Sequence, residues 1–239
     1  MSSNFPVWAI VPAAGIGARM EADHPKQYLS FQGKTVIEHC LDRLLSHPQI
    51  SGAVVVLNET DSTWDTLDYQ SDKTLFFATG GEHRMHSVYQ GLCTLQYRFG
   101  NDVIALIHDA ARPLVTHMEL EKVISAARNN EAGAVLAAPV ADTLKLQGES
   151  MEIVSTVSRD RLWRALTPQV FHLQPLLGAL KNAIDQGQGA TDDASAIERM
   201  GYAPEIVAGS PLNVKLTAPG DLEFMEMIWL HQRNQNDNK

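Results

Sequence analysis

The apolar run Val7–Val11 breaks directly into nearly side-chain-free sequence, and no other stretch limits the possible folds as strongly. Its length and composition suit a strand buried on both faces. Pro12 withholds a ladder donor and closes the run, and Ala13, Ala14, Gly15 and Gly17 follow with little bulk. Small residues after a buried strand let the backbone approach a ligand and aim its N–H groups at it. Arg19 and Lys26 then stand behind the loop as two fixed cations. A bare backbone surface for a base, with charge behind it for phosphates, is what a nucleoside triphosphate requires.

Two familiar nucleotide motifs come close and fail. A dinucleotide fingerprint would need a third glycine where Met20 stands. Gly33-Lys34-Thr35 imitates the end of a phosphate loop, but Tyr28 occupies the position of the required glycine and no strand immediately precedes it. The glycines alone indicate only a strand-to-helix turn. Their company, with Arg19, Pro25-Lys26-Gln27 and the later motifs, indicates a nucleotide site.

Beyond the loop, strand and helix patterns alternate. Val36, Ile37, Cys40, Leu41, Leu44 and Leu45 recur at helical spacing, and Ala53–Leu57 reads as a second buried strand. A third strand, Leu75–Ala78, precedes Gly80-Gly81 and a helix with Met85, Val88, Leu92 and Leu95 on one side. Val103–Ile107 is a fourth strand, ending in His108-Asp109-Ala110-Ala111-Arg112-Pro113. Thr116 and Glu119 form a capping box for a helix reaching about Asn129, and Ala134–Ala138 is a fifth strand. This order predicts one α/β domain over residues 1–239 with a doubly wound, mostly parallel sheet. Ligands of such sheets sit at the carboxyl ends of the strands, where the small-residue loop, Gly80-Gly81 and Asp109 fall.

Residues 140–160 interrupt the rhythm. Thr143–Leu146 and Glu152–Val154 alternate around Gln147-Gly148-Glu149-Ser150, which predicts a β-hairpin. A lone two-stranded hairpin is marginal in water, so this one should project and pack on something, a second subunit being the expected partner. Leu173–Ile184 reads as a helix, Thr191-Asp192-Asp193 opens a short helix that Gly201 ends, and Val214–Leu216 reads as a last short strand. Pro219 and Asp221 open a final helix, with a frayed polar tail from Asn234.

The net charge of −9 argues against a nucleic-acid or anionic-membrane surface, while a few inward-facing cations can still focus on a phosphorylated small molecule. Two cysteines, Cys40 and Cys93, exclude a disulfide framework and a cysteine zinc site, and both read as buried small hydrophobes. Without a long apolar run or leader pattern, the expected location is cytoplasmic.

Asp109 ends an apolar strand three residues before Arg112. A carboxylate there, among phosphate-binding loops, suits Mg²⁺, though an Asp109–Arg112 structural pair is the plainer alternative. Gly80–Ser87 offers backbone before a helix N-terminus, including Gly81, Glu82, Arg84 and Ser87. His83 and His86 lack an evident third ligand for a metal. Arg159 ends the hairpin with no obvious partner in its local sequence, and Lys215 lies on the late strand.

Taken in order, PAAGIGARM, PKQYL, GGEHRMHSV, HDAARP, APVADTLK, TVSRDRLW, LTPQVF, TDDASA and NVKLT resemble the 2-C-methyl-D-erythritol 4-phosphate cytidylyltransferase family over residues ~7–225. The resemblance implies a Rossmann-like nucleotidyltransferase domain with a dimerising β-arm, using CTP, a phosphorylated polyol and Mg²⁺. It implies that Arg19 and Lys26 stabilise charge on the triphosphate. By the same resemblance, the loops Ala13–Gly15 and Gly81–Ser87 would hold cytosine and ribose, Asp109 would lie beside the metal and substrate, and Arg112 would help bind the polyol phosphate. It further implies that Thr143, Arg159 and Lys215 position that phosphate, with Arg159 reaching across from the partner. Leu212, Gly220 and Ala18 depart from residues frequent in the family, none at a position given a role. Alternatives are a cytidylyltransferase for another polyol phosphate, such as ribitol 5-phosphate, and a non-catalytic nucleotide-binding module. The latter would not need cations along the whole phosphate path.

Overall fold

A computed structural model describes residues 4–15 and 25–237. The strands are β1 (Val7–Pro12), β2 (Ser30–Phe31), β3 (Lys34–Thr35), β4 (Ile50–Leu57), β5 (Thr74–Thr79), β6 (Ile104–Ile107), β7 (Ala134–Pro139), β8 (Leu144–Gln147), β9 (Ile153–Val157), β10 (Trp163–His172) and β11 (Glu205–Ala208). The helices are α1 (Val36–Leu45), α2 (Arg84–Phe99), α3 (His117–Asn129), α4 (Leu173–Asp185), α5 (Asp193–Arg199) and α6 (Asp221–Asp237).

Seven strands form one sheet in the order β11-β7-β10-β6-β1-β4-β5. β1 pairs in parallel with β4 and β6, and β11 pairs in parallel with β7. Period-two alternation explains why β1 reads as one continuous apolar run. Val7, Ala9 and Val11 pack beneath α1 and α3, while Trp8 and Ile10 pack beneath α2 and α4. A third cluster joins Phe31, Val36, Ala111, Leu114 and Leu216 to Met225 and Ile228 of α6. α1, α3 and α5 begin in capping boxes: Thr35 with Glu38, Thr116 with Glu119, and Asp192 with Ser195. Glu119 also accepts from the Ser210 N–H at 2.7 Å, so one buried side chain fastens the start of α3 to the segment after β11.

Several elements depart from the sequence expectation. β10 is antiparallel to both neighbours and lies inside the sheet, although Pro168 in its middle argues against a central strand. The register shifts between Ala165 and Gln169, so the proline falls where the β7 ladder is already interrupted. The predicted strand Val214–Leu216 is an irregular extended segment, joined to the core through the Leu216 N–H on the Ala111 carbonyl. β11 carries no readable pattern in the sequence, because only Val207 of its residues is buried and no alternation is long enough to show. α6 continues to Asp237, beyond the tail expected to fray from Asn234. Cys40 is buried as expected, whereas Cys93 is only half-buried.

Among the described residues β8 and β9 pair only with each other, outside the seven-stranded sheet, and are exposed throughout, including the apolar Leu146, Ile153 and Val154.

Two helical glycines yield opposite stability expectations. A Cβ at Gly91 of α2 would lie 2.6 Å from Ile10 Cγ2 and 3.3 Å from Val56 Cγ2. Gly91→Ala therefore costs about 1–3 kcal/mol by overpacking. Gly178 of α4 has nothing within 4 Å of its missing Cβ. Gly178→Ala should gain about 0.5–1 kcal/mol from helix propensity alone. Urea unfolding of both variants checks the pair, and equal shifts would contradict the packing of α2 on β1.

Candidate active site

The loop after β1 and the loop before α2 are drawn together at the carboxyl ends of the central strands. Ala13 donates to the Val56 carbonyl at 2.8 Å, and Gly80 donates to the Leu57 carbonyl at 2.7 Å. A Cβ at Gly80 would lie 2.4 Å from the Ala14 Cβ, so only glycine permits this approach. Gln27 holds the first loop by donating to the Ala13 carbonyl at 2.7 Å, and the Ser87 hydroxyl accepts from the Gly81 N–H at 3.3 Å. Between the loops lies a cavity of about 200 Å³. Ala13, Ala14, Gly15, Gly81, Glu82 and Ser87 line it together with Lys26, Arg84, Asp109 and Lys215.

Charge is concentrated around Asp109 at the end of β6. Its Oδ1 accepts from Arg84 Nε at 2.9 Å, its Oδ2 accepts from Lys215 Nζ at 2.7 Å, and Arg112 Nε stands 3.7 Å from the same Oδ2. Burial alone would raise this carboxyl, but Arg84, Lys215 and then Arg112 outweigh it and hold it well below the usual carboxylate range. Asp109 is therefore ionised at any physiological pH. Arg84 also donates through Nη1 and Nη2 to both carboxylate oxygens of Asp193, at 3.1 and 2.9 Å. Lys26 Nζ donates to the Leu216 carbonyl at 2.8 Å, so the two lysines are anchored on neighbouring points of one segment.

A buried relay fixes the backbone beneath this cluster. The Asp109 N–H donates to Thr167 Oγ1 at 3.1 Å, and Thr167 Oγ1 lies 3.1 Å from His108 Nδ1. His108 Nε2 lies 2.8 Å from the Arg112 carbonyl, which can only accept, so the imidazole proton is assigned to Nε2. Asn213 Nδ2 donates to the Thr167 carbonyl at 2.8 Å, and Arg112 Nη1 donates to the Asn213 carbonyl at 2.7 Å. Burial lowers the pKa of His108 to about 4 and keeps the ring neutral.

Ten of the sequence-predicted residues thus line one cavity. Arg112 does not line it but stands behind Asp109, nearer the structural-pair reading than direct exposure to a ligand. Thr143 and Arg159 are exposed and absent from the lining, and Arg159 Nη1 donates to the Ala141 carbonyl, supplying the local partner its sequence neighbourhood did not reveal. Arg19 lies outside the described residues. Gln27, His108, Thr167, Asp193 and Asn213 gained no role from the sequence, although PKQYL, HDAARP, LTPQVF, TDDASA and NVKLT contain them. The His83 and His86 rings stack at 5.4 Å, and among the described residues no group of three ligating side chains could hold a metal.

The family model for 2-C-methyl-D-erythritol 4-phosphate cytidylyltransferase matches residues 7–231. A relative of that name from Photobacterium profundum is 45% identical over 222 residues, covering 90% of this chain and 92% of its own. Another of the same name, from Photorhabdus laumondii, is 46% identical over 232 residues, covering 95% and 96%. The crystal structure of the Francisella tularensis 2-C-methyl-D-erythritol 4-phosphate cytidylyltransferase superposes with a TM-score of 0.79 at 32% identity, covering 93% of this chain and 99% of that one.

The neutral His108 generates an acid-stability prediction. Its folded pKa of about 4 lies below the ordinary value of 6.5, so the unfolded state binds the extra proton between those pH values. The stability it contributes is complete above pH 6.5 and is lost as pH falls through the folded pKa. Relative to His108→Gln, wild type should lose roughly 3 kcal/mol over that interval. Denaturant unfolding across the interval measures this, and a constant gap between the two proteins would contradict a buried, neutral His108.

Proposed function

The chain belongs to the 2-C-methyl-D-erythritol 4-phosphate cytidylyltransferase family, and from that premise we propose how the cleft carries out the reaction. As a member it is a nucleotidyltransferase, transferring CMP from CTP to 2-C-methyl-D-erythritol 4-phosphate and releasing pyrophosphate to form 4-diphosphocytidyl-2-C-methyl-D-erythritol. The observation that carries the site assignment is one cavity with backbone-rich loops and with Lys26, Lys215 and Asp109 among its lining residues.

In this reading Ala13–Gly15 and Gly81–Ser87 hold the cytosine and ribose through main-chain groups. Lys26 faces the triphosphate and, with Arg19, stabilises charge as the pyrophosphate departs. Lys215 orients the phosphate of the polyol, aided by Thr143 and by Arg159 of the partner subunit. Arg112 acts on that phosphate from behind Asp109. The attacking oxygen belongs to an ionised phosphate monoester, so no general base is required and the protein's task is in-line positioning.

Mg²⁺ is the cofactor in this proposal. Asp109 uses one acceptor position on Arg84 and one on Lys215, and an ionised carboxylate offers about four. That capacity fits a hard cation whose remaining ligands are substrate phosphates, with Asp109 holding it from the protein side. Bound there, Mg²⁺ would neutralise charge on the phosphoryl oxygens.

The proposed assembly is a homodimer through the β8–β9 arm, supported by the arm's isolation from the main sheet and its exposed apolar residues. The proposed location is the cytoplasm; among the described residues no helix is long and apolar enough to cross a membrane.

With Mg²⁺ and 2-C-methyl-D-erythritol 4-phosphate, pyrophosphate release should be fastest with CTP, because a pocket read by two short loops leaves little room for a purine. Comparing kcat/KM for the four triphosphates, and for ribitol 5-phosphate as competing acceptor, tests this. Equal use of ATP would overturn the base-pocket assignment.

Site sharing generates a separate expectation. Arg159→Ala and Arg19→Ala homodimers should each be nearly inactive. A purified heterodimer of the two would carry one site with both arginines and one with neither. It should recover about half of wild-type activity by that count of sites. No recovery would show that Arg159 serves its own subunit.

A further inference from the structure

Asp193 lies on the first turn of α5, is 1% exposed and does not line the cavity. A carboxylate buried beside a phosphate site is costly unless paired, and it would repel the substrates. Here it is paired with Arg84 at two points, while Arg84 Nε makes a third bond to Asp109. Among the described residues, all three guanidinium hydrogen bonds of Arg84 therefore go to protein carboxylates. Arg84 thus links the two carboxylates, while Arg112 and Lys215 approach Asp109 alone. Lys215 has 36% of its side chain exposed, against 12% for Arg112.

We propose that Asp193 is a positioning residue for the transfer reaction: it holds the Arg84 fork so that Arg84 takes only one oxygen of Asp109 and leaves the other to orient Lys215. The support for Asp193 is rigid. Asp192 next to it accepts from Gln169 Nε2 at 2.8 Å, and Gln169 Oε1 accepts from the Ala194 N–H at 2.9 Å. Gln169 belongs to β10, two residues beyond the Thr167 that fixes the Asp109 backbone. One strand thus sets both carboxylates that share Arg84. If the Asp193 charge is lost, the freed fork of Arg84 turns onto both oxygens of Asp109 and displaces Lys215. A planar guanidinium forms such a two-point pair readily, whereas a lysine competes as a single point charge.

This inference rests on the reading that Lys215 orients the polyol phosphate, and the test separates the two. Asp193→Asn keeps the shape and removes the charge. Its kcat/KM for 2-C-methyl-D-erythritol 4-phosphate should fall roughly 10–100-fold, the effect of misplacing a reacting group by about 1 Å. The KM for CTP should change less than about twofold, since Lys26 keeps its own anchor on Leu216. Asp193→Glu, which restores the charge, should recover most of the loss. Arg84→Lys, which keeps a cation but lacks the planar fork that spans both carboxylates, should reproduce the selective defect even if Asp193→Asn fails to fold.

Wild-type kinetics in a folded Asp193→Asn protein would overturn the inference. So would parallel weakening of both substrates, or no recovery with Asp193→Glu, because either marks a merely structural role. A CTP-selective defect in Arg84→Lys would instead make Arg84 a direct nucleotide ligand, and also overturns it. Lys215→Ala distinguishes the underlying reading: if its KM for the polyol phosphate is unchanged, the assignment of Lys215 fails independently of Asp193.

Discussion

One buried carboxylate organises the working face of this protein. Asp109 receives Arg84 from the start of α2, Lys215 from the segment after β11 and the approach of Arg112 from its own loop, while Thr167 of β10 holds its backbone. In water such charges would gain little from one another; with the carboxylate buried, their attraction is strong and their geometry restricted. Each cation is therefore held where it stands before any ligand arrives, and preorganisation of this kind is what electrostatic catalysis uses. The cost of gathering three basic groups is offset by Asp109 and Asp193.

The sheet makes that gathering possible. β1, β4 and β6 are covered on both faces, so their carboxyl ends have fixed separations. Beside the sheet, the cluster joining Phe31, Leu216 and α6 holds the exit of the Lys26 turn against the Lys215 segment. α6 supplies no residue lining the cleft, yet its packing sets the spacing between two of the cleft's cations.

What could be read directly from the sequence was local. The start of the bare loop after β1 (Ala13–Gly15), Gly80-Gly81 before α2, the capping box of α3 and the placement of Asp109 follow from short patterns, and each is present. β10 was obscured by Pro168, which local rules exclude from a central strand and which the structure accommodates at a register shift. β11 was too short and too exposed to produce a period. The partnership of Arg84 with Asp193 joins residues 109 positions apart, and no local spacing announces it. Arg159 has no partner in its immediate sequence for the same reason: its acceptor is the Ala141 carbonyl at the other root of the hairpin.

Glu119 shows how far such dependence extends. With one oxygen it closes the capping box of α3, and with the other it takes the N–H of Ser210, five residues before Lys215. Its surroundings describe an ordinary helix cap, but its effect is to fix the starting point of the chain that delivers a lysine to the cleft. In protein-engineering terms the Lys215 segment is not a portable cassette. Grafted onto another scaffold without α3 and its cap, it would carry the right side chain in an undefined register.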